Sequence, residues 1–139
     1  MPLDDTLAII ERVGRAKSMR DLKPLVADLD GVPGSVLFNA LYPVAVREQG
    51  QASGPVAMSA YALYALNPPC RLPVDDAVAA LLPSWDISIE EVPWYLVKQF
   101  GREAIGESVE RLRARESDQT SLTRLKTIEY WVRAAPAGT

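Results

Sequence analysis

Apolar residues recur at helical spacing along nearly the whole chain, and no segment keeps a period-2 alternation of β-branched residues for a useful length. Over residues 4–16, Leu3, Leu7, Ile10 and Val13 fall on one stripe. A second stripe begins at Ser18, where Ser18 and Asp21 have capping-box spacing, and runs through Leu22, Leu25, Val26 and Leu29. Val36, Leu37, Ala40, Leu41 and Val44 mark a third helix opening at Ser35. Pro43 falls inside it and lacks an amide donor, which predicts a kink or a division there. Gln49, Gly50 and Gln51 are expected to end it.

The fourth helix starts at Gly54-Pro55, since proline suits a first helical position, and stops at Asn67-Pro68-Pro69. A short fifth runs from Pro73 to Pro83 with Val74, Ala77, Val78 and Leu81 apolar. Ser88 and Glu91 are spaced as a capping box for the sixth, whose stripe is Ile89, Val92, Leu96 and Phe100; Gly101 ends it, and Pro93 sits awkwardly near its start. Ile105, Val109 and Leu112 carry the seventh helix. The eighth follows Asp118 with Leu122, Leu125, Ile128 and Val132. The expectation is an all-α chain of about eight short helices in four antiparallel pairs. It forms one domain over residues 1–134, with a frayed tail at 135–139.

Pro73-Val74-Asp75-Asp76-Ala77-Val78, then Val92-Pro93-Trp94-Tyr95-Leu96, then residues 122–131 together resemble HEAT-type helical repeats over the latter half of the chain. The resemblance implies a right-handed array of stacked helix pairs. A compact helical bundle is the alternative.

Composition narrows the chemistry. At 139 residues with 48% apolar side chains, the chain can bury a core without staples. It contains no histidine, which removes the commonest general base and metal ligand and excludes Ser-His-Asp and Cys-His sites. The single cysteine, Cys70, excludes an internal disulfide and a cysteine-built zinc site, and it has no local base to activate it. Phosphate-loop, Rossmann and nucleophile-elbow motifs are absent. No cofactor or metal is expected, and Asp28-Leu29-Asp30-Gly31 lacks the later ligands of a calcium loop. The Ala, Arg and Pro content suits a GC-rich bacterium. With an acidic start that lacks the basic and apolar regions of a secretory signal, and no span of ~20 apolar residues, the expected location is the cytoplasm, with no membrane partner expected.

Net charge is −3 and the pI is near 5.0, which argues against nucleic acid. Residues 72–97 hold five acids, Asp75, Asp76, Asp86, Glu90 and Glu91, without a lysine or arginine, and carry Trp85, Trp94 and Tyr95. Acids beside aromatics suit a partner-binding surface in which charge steers encounter and aromatics anchor it. The same residues are also explained as helix-start carboxylates favoured by the macrodipole and as core tryptophans. Downstream, Arg111, Arg113, Arg115, Arg124 and Lys126 alternate with acids and read as a solvated, salt-bridged surface.

The function expected is that of a non-catalytic protein-binding module presenting an acidic, aromatic-bearing surface to a basic partner. Bacterial inhibitor and immunity proteins share this small, acidic, helical profile. The alternatives are a structural subunit of a homo-oligomer and a relative of HEAT-like DNA-repair glycosylases.

Overall fold

Apolar stripes at helical period can bury themselves only against other helices, and the chain does this throughout. A computed structural model describes residues 3–47 and 53–136. Among the described residues there are eight α-helices and no strand: α1 (Leu3–Gly14), α2 (Leu22–Leu29), α3 (Gly34–Ala45), α4 (Ser53–Leu66), α5 (Val74–Ala79), α6 (Glu91–Phe100), α7 (Arg102–Arg115) and α8 (Gln119–Arg133). A single turn of 3-10 helix, Met19–Asp21, leads into α2.

Two series of neighbours organise them. α1 packs on α3 and α5 on α7, while α2 packs on α4, α4 on α6 and α6 on α8. The series meet most extensively where α3 lies along α4 and α7 along α8. Tyr42 ties α3 to α5 by donating its hydroxyl to the Ala77 carbonyl at 2.7 Å, and Ser84 donates to the Val46 carbonyl at 3.2 Å. One continuous core results, with Leu25, Leu41, Leu63, Leu81, Trp85, Tyr95, Leu96, Ile105, Leu125 and Ile128 at its centre.

Most expected stripes point inward, but α1 is rotated from its expected register. Ile9, Val13 and Ala16 are the buried positions, whereas Leu7 and Ile10 are exposed. In α3 the apolar character wraps around the helix, so Phe38, Tyr42 and Ala45 are buried alongside the expected stripe. α3 runs through Pro43 and stops two residues later; the proline is exposed, so its ring is accommodated toward water.

The capping boxes are not formed. Ser18 makes no side-chain cap, and Asp21 instead accepts from the Lys17 amide at 2.8 Å, so α2 begins only at Leu22. Ser88 turns back to Asp86, donating both its amide and its hydroxyl to Oδ1. α6 therefore starts at Glu91, which puts Pro93 in the first turn, where its missing amide costs nothing. Gly101, at φ +90°, ends α6 and leads directly into α7. Asp118 caps α8, accepting from the Ser121 amide at 2.9 Å.

Ala135, expected in the frayed tail, is buried, and its carbonyl accepts from Arg102 at 2.6 Å. The expected helix end at Gln49-Gly50-Gln51 lies outside the described residues.

Candidate functional site

The five acids of residues 72–97 do not converge on one patch. Asp75, in the first turn of α5, is held by α7: the Arg111 guanidinium approaches it through Nε at 3.0 Å and Nη2 at 2.8 Å, and the buried Ser108 hydroxyl donates at 2.7 Å. These hydrogen bonds, Arg111 first, lower the Asp75 carboxyl to about 2. Asp75 is thus a structural ion pair, which corrects its expected role as an unpaired steering charge. Asp76 stays exposed on α5. Asp86 is occupied in its turn with Ser88.

Glu90 and Glu91 point elsewhere, toward α4. Burial raises the Tyr61 hydroxyl above its ordinary value, and the nearby Glu91 and Glu90 charges raise it further. Glu91 is half-buried at the α6 start. Burial raises its carboxyl, its own amide offsets part of that, and Glu90 adds to the rise.

Two of the three expected aromatic anchors are unavailable. Trp85 is 0% exposed, with its indole N–H donating to the Ile89 carbonyl at 3.2 Å. Tyr95 is equally buried; its hydroxyl donates to the Pro68 carbonyl at 2.7 Å, and burial pushes its pKa strongly upward. Both rings fill the core between helices, so neither can anchor a partner. Trp94 remains at the surface, partly covered.

A continuous aromatic row runs outward from Trp94. Tyr64 of α4 lies 6.0 Å from Trp94 between ring centroids, Trp94 6.1 Å from Trp131 of α8, and Trp131 5.0 Å from Tyr130. Hydrogen bonds fix the row: Trp94 Nε1 donates to the Trp131 carbonyl at 2.9 Å, and Trp131 Nε1 donates to the Ile87 carbonyl at 2.8 Å. Lys98 closes one end, with Nζ 3.8 Å from the Tyr64 ring centroid and donating to the Tyr64 carbonyl at 2.9 Å. At the other end, Tyr130 is 55% exposed and Ile87 43%. Glu90, the residue just before α6, accepts from the Trp94 amide at 3.0 Å, so the two stand one turn apart on the same side of the helix start.

The sequence pointed to Trp85, Trp94 and Tyr95 but passed over Ile87, Tyr130 and Trp131. The available signal was Tyr130 beside Trp131 on a helix whose buried stripe is Leu125, Ile128 and Val132. Tyr130 lies off that stripe, so of the two adjacent aromatics it is the one that cannot reach the core.

Two concave features lie apart from the row. A groove of about 440 Å³ along α7 and α8 is lined by Arg113, Leu122, Lys126 and Glu129, whose opposite charges leave no single-sign site. Another of about 510 Å³ lies between α1 and the turn at Gly31, with Asp5 and Asp30 on its rim. Among the described residues no group of three acidic or cysteine side chains converges as a metal cluster would. None of the helices among them is long and apolar enough to cross a membrane. Burial raises the half-buried Cys70 thiol, which keeps it protonated and weakly nucleophilic. No family model, curated protein or solved structure matches this chain.

Proposed function

We propose that this chain is a non-catalytic protein-binding module, of the inhibitor or immunity kind, that docks a basic partner on the aromatic row of α4, α6 and α8. The observation that carries it is the exposure of Tyr130 and Ile87 around a Trp131 ring whose indole N–H is held by the Ile87 carbonyl. Rigid, half-exposed aromatics bind at low entropic cost because little remains to be ordered. Asp86, Glu90 and Glu91 flank that row along the chain and supply negative potential, and Lys98, the nearest cation on α6, is already engaged with Tyr64. Catalysis is disfavoured because the strongest carboxylate constellation, Asp75 with Arg111 and Ser108, is a closed ion pair bridging two helices.

The neighbours α1–α3 and α5–α7 on one side, and α2–α4–α6–α8 on the other, support a two-layer array similar to HEAT-type repeats. In that arrangement the binding row belongs to the even-numbered layer.

The test is capture and kinetics with the partner recovered from the native host. Replacing both Ile87 and Tyr130 with Ser should speed dissociation at least about tenfold. Replacing Asp86, Glu90 and Glu91 with Ser should slow association and flatten its salt dependence. Both variants should keep the helical circular-dichroism spectrum. Unchanged rates and salt dependence in both would sink the proposal.

A further inference from the structure

The cavity between α1 and the turn joining α2 to α3 combines an apolar floor with an acidic mouth. Asp5 of α1 and Asp30 of the turn line it and are both exposed, whereas Ile9, 6% exposed, and the half-buried Val32 lie at its floor. Gly31 leaves the entrance open: its φ is +93°, and a Cβ there would meet nothing within 4 Å. At about 510 Å³ the space falls within the size of small-ligand sites, roughly 300–1,000 Å³.

The charge at the mouth is of one sign. Among the described residues no lysine or arginine lines the cavity, and neither Asp5 nor Asp30 enters an ion pair. Arg12, two turns along α1 from Asp5, is committed to Asp28 at 2.7 Å. Asp30 also closes α2, whose C-terminal end adds partial negative charge at the same mouth.

We infer that this cavity binds a small primary alkylamine, with its hydrocarbon tail inward and its ammonium group at the mouth beside Asp5 and Asp30. The two halves of the lining select that occupant. The carboxylates and the helix end repel an anion such as a fatty acid or a phosphate. A bare metal ion needs more oxygen ligands than two carboxylates supply, and no group of three converges among the described residues. A lysine or arginine side chain of another protein leads with its charge, which would pass the carboxylates and come to rest on Ile9 and Val32, where its desolvation is uncompensated. A free amine enters tail first. Its methylenes are buried on the floor, while its ammonium keeps water and meets the carboxylates. The site is apart from the aromatic row on α4, α6 and α8, so each can fail without the other.

Hexylamine titrated into isotope-labelled protein, followed by amide chemical shifts, tests the assignment. The amides of Ala8, Gly31 and Val32 should shift and saturate at about millimolar amine. Hexanol and methylammonium, each lacking one half of the ligand, should fail to saturate them. N-acetyl-lysine amide should bind at least about fivefold more weakly than hexylamine, because its charge leads. Asp5→Asn and Asp30→Asn should each weaken hexylamine about threefold, the scale of an exposed ion pair. Ala8→Leu, which adds bulk to the lining from an exposed helical position, should abolish binding and keep the circular-dichroism spectrum. Absence of saturation by hexylamine overturns the proposal. So does hexanol or the lysine amide binding as tightly as hexylamine, or an affinity unchanged in both Asn variants.

Discussion

Arg124 of α8 donates through Nε to the Trp85 carbonyl at 2.9 Å and through Nη1 to the Leu82 carbonyl at 2.9 Å. Its guanidinium closes the chain turns that follow α5, where backbone carbonyls have left the helical ladder, and Nη1 also lies 3.3 Å from the Pro83 carbonyl. Arg102 does the same for α8, donating to the carbonyls of Val132 and Ala135. These two arginines serve as helix-end caps drawn from a neighbouring element, and among the described residues neither enters an ion pair.

Arg124→Ala should therefore cost about 1.5–3 kcal/mol, the usual range for hydrogen bonds to a charged group whose partners are left partly buried. Arg124→Lys should recover less than half of that loss, because an ammonium cannot reach two carbonyls in the fixed fork of a guanidinium. Lys126→Ala, two residues on and exposed, should stay within about 0.5 kcal/mol. Urea midpoints at constant m-value check all three. Equal losses at positions 124 and 126 would contradict the capping role.

Asp75 sets an acid limb. Its folded carboxyl is lowered to about 2 by Arg111 and Ser108, from an ordinary value of 3.8. The unfolded state binds the proton more tightly, so the pair stabilises fully above the unfolded pKa and its contribution is lost as pH falls through the folded one. Between roughly pH 5 and pH 2 the native chain should weaken, and Asp75→Asn should remove that part of the slope. Thermal midpoints across this window measure it. A variant with the wild-type acid slope would show that the bond contributes nothing to folding.

Helix positions were legible in the sequence because period and punctuation agree. Gly101 and Asp118 each mark a boundary the fold respects, the last with a formed cap, while α4 starts at Ser53 and takes Pro55 as its third residue. Rotation about a helix axis was less legible. α1 holds apolar side chains at Leu7, Ile9, Ile10 and Val13, and two overlapping stripes fit that set; only packing against α3 selects Ile9 and Val13. Local caps also failed where a stronger local partner existed, as when Asp86 captured Ser88. Composition cannot say which tryptophan is core. Trp85 and Trp131 both donate their indole N–H to a backbone carbonyl, and only the depth of the element separates a buried ring from one at the surface.

Two glycines should respond to alanine with opposite sign. Gly106 lies inside α7 with open space where a Cβ would stand, so Gly106→Ala should stabilise by about 0.5–1 kcal/mol through backbone entropy and helix propensity. Gly34 opens α3, yet a Cβ there would meet Pro69 Cδ at 2.7 Å. A proline ring cannot swing aside as a flexible side chain would, so Gly34→Ala must displace the α3 start or the turn after α4. It should destabilise despite its better propensity. Differential scanning calorimetry on both variants tests the pair, and a gain at position 34 would mean that the close approach yields at no cost.

Glu91 offers the sharpest separation of stability from binding. Burial outweighs its own amide and, with the Glu90 charge, raises the carboxyl above its ordinary value. A raised folded pKa means that stability is fully present below the unfolded pKa and is lost as pH climbs through the folded one, so ionised Glu91 weakens the native state at neutral pH. Glu91→Gln should then melt higher than wild type at pH 7, and the two curves should converge near pH 3, where both side chains are neutral. Loss of a helix-start carboxylate acts the other way, so the gain expected at pH 7 is what remains after that loss. If the aromatic row docks a basic partner, the same substitution should slow association while raising the melting temperature. A variant that gains stability and keeps its association rate would leave Glu91 as a poorly solvated helix start and remove it from the binding surface. A variant that loses stability at pH 7 would contradict the burial that raises its pKa.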